Sequence, residues 1–158
     1  MILEAHGIRV ELPTHWSGRV FRRGGNATLH AASFLLPLDD GEFGDATTAR
    51  MRPGASFLAL TEYRPGAGLV PGRGLFAPPR LVLPLEPTRF SVKGLAHPRA
   101  GQAGAQQFFT SAGRPFCLYT VIAGGRGHRR RQLPVLDGVL RSLRIAPVAG
   151  GAAAGAAV

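Results

Sequence analysis

The chain contains one cysteine, one lysine, one tryptophan and nine acidic residues among 158, and each shortage closes a route. A lone thiol, Cys117, cannot form an intrachain disulfide, so stability has to come from a packed core rather than from covalent staples. No stretch approaches the roughly 18 apolar residues that span a bilayer. The opening MILEAHGIRV lacks a basic start followed by a long apolar run, so a cytoplasmic location is expected. Acid-base catalysis needs carboxylates gathered in a cleft, and the one acidic cluster is Asp39, Asp40, Glu42 and Asp45. Its spacing is not that of an EF-hand, and a solvated turn is the better reading.

Catalytic and cofactor motifs are missing as well. The five histidines, His6, His15, His30, His97 and His128, show neither an HExxH pattern nor cysteine partners at metal spacing. His15 and His30 read as surface or partly satisfied residues. There is no G-x-S-x-G nucleophile elbow, and Cys117 sits in the apolar run Pro-Phe-Cys-Leu-Tyr, where a thiol is buried and inert. Gly72-Arg73-Gly74 follows a proline instead of a strand and leads into Pro78-Pro79 instead of a helix, so it is no dinucleotide loop. The expectation is a chain without catalytic residues, metal or cofactor.

What the chain has in quantity is arginine, glycine, proline and apolar residues. Hydrophobic residues make up 45% and argue for a packed core, while 22 Gly and 13 Pro imply many turns. The net charge is +10, carried by eighteen Arg and Lys93. Arginine in this company of Ala, Gly and Pro is what GC-rich coding produces, yet the charge attracts anions whatever its origin.

The patterning predicts short strands and few helices. Ile8, Val10 and Leu12 alternate with Arg9 and Glu11 as in a half-buried strand ending at Pro13, and Trp16 follows in a turn over one end of the core. Strands are expected at 20–23 and 27–36 around a Gly24-Gly25-Asn26 turn, at 56–63, and at 81–85 and 90–95. Asp45 is expected to cap a short helix over 46–51, and 64–79 to be an irregular loop. Residues 106–111 and 116–123 flank Ala112-Gly113-Arg114-Pro115 as a hairpin. Leu136, Val139, Leu140 and Leu143 recur at helical spacing within Leu133–Ile145, with Pro134 in the first turn and Asp137 placed to pair with Arg141 on the solvent face. Together these give one α+β domain over residues 1–147, an antiparallel sheet flanked by helices, followed by a disordered Gly/Ala-rich tail over 148–158.

The segment best suited to binding is Arg126, His128, Arg129, Arg130 and Arg131, within what reads as a Gly/Arg-rich loop over 124–131, with Arg22 and Arg23 as further candidates. Such a cluster grips phosphates or an acidic protein surface. No aromatic residue interleaves these arginines to stack bases, so a solvated connecting loop is the better reading of the segment; of the partners it could take, a protein is expected before nucleic acid. A small-ligand binding protein is the remaining alternative, for which a deep pocket holding Arg114, His15 or Cys117 would speak.

The order of elements carries a resemblance. Ile8 to Pro13 followed by Trp16, the hairpin from Gln107 to Val121 with GRPFCLYTVIAG, and LDGVLRSLRI near the end resemble the PsbP-like fold shared with the Ran-binding Mog proteins. The chain also resembles uncharacterised actinobacterial proteins with RPG-x-x-F-x-x-L-x-E-Y and GRPF-x-LY segments, here Arg52 to Tyr63 and Gly113 to Tyr119. The resemblance spans most of residues 7 to 146. It implies an antiparallel sheet closed by a late helix, and a non-enzymatic binding or accessory role exercised through the surface.

Overall fold

The computed structural model describes residues 1–64, 66 and 69–148. The expected Gly/Ala-rich tail, Val148 apart, lies outside the described residues. The chain runs β1 (Ile2–Ala5), β2 (Ile8–Glu11), β3 (Ser17–Arg23), β4 (Asn26–Ala32), α1 (Asp45–Ala49), β5 (Ser56–Glu62), β6 (Gln102–Ser111), β7 (Arg114–Ala123), α2 (Arg126–Arg141) and β8 (Arg144–Ile145). The fold is α+β, with two antiparallel sheets. A five-stranded sheet has the order β3-β4-β5-β7-β6, and a three-stranded one has the order β1-β2-β8. None of the helices among the described residues is long and apolar enough to cross a membrane.

Hairpin chemistry sets the pairing. Gly24-Gly25 and Ala112-Gly113 both place two successive residues at positive φ, the turn whose twist matches that of the flanking strands. These turns hold β3 on β4 from Ser17↔Ala32 to Arg23↔Asn26, and β6 on β7 from Gln102↔Ala123 to Ser111↔Arg114.

Alternation then distributes the apolar residues to both faces of the large sheet. Leu29, Leu58, Leu60, Phe116, Leu118 and Ile122 meet Leu133, Leu136, Val139 and Leu140 of α2 together with Ile8 and Val10 of β2. On the opposite face Phe57, Ala59, Tyr119 and Val121 are covered by Phe34, Leu36, Phe43 and Met51. Covered on two sides, β7 is buried along its whole length. The expected inert thiol lies here: burial pushes the Cys117 pKa up to about 12.

The structure corrects several expectations. Strand β4 ends at Ala32: Ser33 still donates to the Ser56 carbonyl of β5, but its hydroxyl, in place of its backbone carbonyl, accepts from the Ser56 N–H. No strand forms at 81–85 or 90–95. That stretch is a strap with short 3₁₀ turns at Pro87–Arg89 and Val92–Gly94, and it shields the open edge of β6. Gln107 bonds both backbone groups of Val82, and Ser91 and Gly104 exchange two backbone bonds. Asp45 does not cap α1. The N-cap is Gly44, and the Asp40 carboxylate reaches forward to accept from the Thr47 hydroxyl and the backbone N–H groups of Ala46 and Thr47; burial raises its pKa, and these bonds outweigh that and hold it below the usual value.

The largest departure concerns α2. The segment expected as a loop over 124–131 is the first third of this helix, which therefore begins at Arg126 and carries Pro134 in its interior. Pro134 denies a donor to the Arg130 carbonyl, and both residues are exposed, where the lost bond costs least. Asp137 is not on the solvent face paired with Arg141. It is buried, and its Oδ1 accepts from the backbone N–H of Leu85 in the strap at 2.8 Å. His30, expected at or near the surface, is fully buried between Phe21 and Phe57.

Candidate functional site: an arginine cleft at the start of α2

Glycine decides where α2 starts. Gly124 has a φ of 103°, and the Cβ of any other residue there would collide with the His128 ring. Gly125 follows as N-cap and offers no side-chain acceptor, and the first turn contains no acidic residue. The opening N–H groups of the helix thus lack a side-chain partner, and the positive end of its dipole is loaded with Arg126, Arg129, Arg130 and Arg131. Both features favour an anion at this end.

Three of these arginines converge. Arg126, Arg129 and Arg130 line a half-open cleft of about 450 Å³ whose other wall is Pro87, Thr88 and Phe90 of the strap. No carboxylate lines it, and none of the three arginines makes an ion pair among the described residues. The Nε of Arg129 is buried without a hydrogen-bond partner. The cleft therefore presents guanidinium groups without carboxylate partners to whatever enters it, a setting that favours charge-assisted hydrogen bonds to an anion.

The remaining candidates lie elsewhere. The His128 ring rests against Gly54 and Gly124, and Arg131 is exposed; neither lines the cleft. Arg22 and Arg23 belong to a separate recess with Arg19 and His30, where Arg23 is bonded to Asp39 at 3.0 Å. The sequence reading missed Pro87, Thr88 and Phe90. Phe90 was assigned to a strand, and no local signal announces that the strap turns against α2.

The other reactive side chains are committed to structure. His30 bonds through Nε2 to the Glu42 carbonyl at 2.8 Å, and burial lowers its pKa, so it is neutral at pH 7. Asp45 pairs with Arg99 at 2.6 Å and lies 3.6 Å from His97. Among the described residues no three His, Cys, Asp or Glu side chains gather as a metal site. Arg114, 3% exposed, holds Glu62 through two bonds of 2.8 and 2.9 Å and also donates to the carbonyls of His6 and Ala146. This clasp ties β7, β5, the β1–β2 turn and the residue after β8 together. His15 is exposed in the loop before β3.

Comparison with known proteins yields no relative: no family model matches the chain, and neither a curated protein nor a solved structure matches it.

Proposed function

We propose that the chain is a non-catalytic accessory module of the cytoplasm that binds an acidic surface of a partner protein in the arginine cleft at the start of α2. The observation that carries this reading is the convergence of Arg126, Arg129 and Arg130, none with a carboxylate partner, on one cleft at the positive end of a helix. The commitment of His30, Cys117, Asp40, Asp45 and Arg114 to core, cap and clasp supports a binding role over a catalytic one. The late helix lying across an antiparallel sheet supports the PsbP/Mog-like reading, whose members act through their surfaces.

Nucleic acid is the second reading, and the ring of Phe90 speaks against it. Base stacking needs an open aromatic face, and Phe90, the one aromatic in the cleft wall, is 5% exposed. The test is fluorescence anisotropy with a labelled hexaglutamate peptide. Replacing Arg126, Arg129 and Arg130 together by Ala should weaken its binding at low salt by about tenfold or more, the effect expected when charge-assisted contacts are lost. Unchanged binding in the triple variant refutes the cleft as the site.

A further inference from the structure

The geometry points to a binding groove that continues along α2 to its far end, and we infer that it takes a polypeptide segment acidic at both ends, with an apolar side chain beside the acidic group that enters the far cleft. The inference rests on the reading of the arginine cleft and extends it to a second cleft. Arg126, Arg130, Asp137 and Arg141 are spaced four, seven and four residues apart, which puts them on one face of the helix. That face meets the strap: Asp137 binds Leu85 at the middle, and Pro87 to Phe90 lie against the N-terminal turns. At the other end Leu81 and Leu83 face Leu140 and Leu143 across a cleft of about 390 Å³. Strap and helix thus form a single seam with one cleft on each side of the Asp137–Leu85 bond.

The second cleft differs in character from the first. Its floor is largely apolar, and its rim carries Arg80, Arg141 and Arg144. No carboxylate lines it, and none of the three is in an ion pair among the described residues. Glu86, the one acid in the strap between the clefts, lines neither. Arginines above leucines complement a ligand that carries carboxylates beside an apolar side chain, which a polypeptide supplies and a nucleic acid backbone does not. At 1.5 Å per residue, Arg130 and Arg141 are about 17 Å apart along the helix, a span that roughly five residues of extended chain cover.

The experiment uses the full chain and two labelled peptides, one with a single Asp-Glu pair and one with two such pairs flanking a five-residue spacer with a leucine beside the second pair. The two-pair peptide should bind about tenfold tighter or more, because the second contact becomes intramolecular. Replacing Arg80 and Arg141 by Ala should remove that gain, so that the two-pair peptide binds no tighter than the single-pair one; both side chains are exposed, so folding is spared. Exchanging the spacer leucine for serine should lower the gain without touching the protein. A gain that persists in the Arg80/Arg141 variant, or no gain at all, overturns the groove while the first cleft stands. Single-pair binding that ignores Arg126, Arg129 and Arg130 overturns the first cleft instead. A single-stranded oligonucleotide of equal charge that binds tighter than the two-pair peptide, with the same arginine dependence, overturns the choice of polypeptide.

Discussion

Arg114 and Arg129 carry the same guanidinium group and meet opposite conditions. Arg114 is sealed at the start of β7, and its bonds to Glu62, His6 and Ala146 give each of its three nitrogens a partner. Gly7 makes room for it, since at a φ of 76° a Cβ there would collide with the Arg114 side chain. Arg129 stands at the opening of α2 beside other cations, with its Nε buried and unbonded. Desolvating a charge is costly unless partners compensate it. The first arginine has its compensation inside the fold, and in the reading proposed above the second finds it in a ligand. Position and surroundings, not residue type, separate a structural charge from a binding charge.

That contrast can be broken at its structural end most violently. Arg114→Ala leaves the Glu62 carboxylate, 14% exposed, without its partner and should cost about 3 to 5 kcal/mol in urea unfolding at pH 7. A loss below about 1 kcal/mol would show that the clasp holds nothing together. Asp137→Ala tests the anchor between the clefts. It strands the Leu85 N–H, so a loss of about 2 kcal/mol is expected by the same measurement, together with weaker binding of the two-pair peptide as the strap loosens. At the binding end, Arg129→Ala with Arg130→Ala should move stability by no more than about 0.5 kcal/mol per site, because neither side chain has an ion-pair partner to lose. A large destabilisation there would place these arginines with Arg114 among the structural ones and erase the distinction.

Much of the architecture is legible from residue order. The period-two run in β2, the apolar runs of β5 and β7 and the Gly24-Gly25 and Ala112-Gly113 turns announce the antiparallel strands. Leu136, Val139 and Leu140 announce the buried face of α2, and the apolar surroundings of Cys117 announce an inert thiol. The failures share a cause. Gly125, Gly127 and a run of arginines hide the first turns of α2, because no capping side chain marks its start and cations there oppose the dipole. Leu81, Leu83, Leu85 and Phe90 look like strand residues, yet the β6 edge is shielded by a strap held through Gln107 and Ser91 instead of a full ladder.

The candidate site divides along the same line. Arg126, Arg129 and Arg130 are conspicuous in the chain as a cluster of charge, but their separation from His128 and Arg131 follows from the helical rotation that turns only some of them toward the strap.

Sequence alone determined the strand alternation, the hairpin turns, the cationic surplus and the lack of a disulfide, since each depends on backbone preference or composition within a few residues. Tertiary structure decided that Arg114 meets Glu62 across 52 positions, that Asp137 anchors Leu85, and that the strap walls the arginine cleft. Those outcomes depend on which surfaces meet once the core excludes water, and the energy of a charge depends on its partners and solvent, neither of which a residue carries with it along the chain.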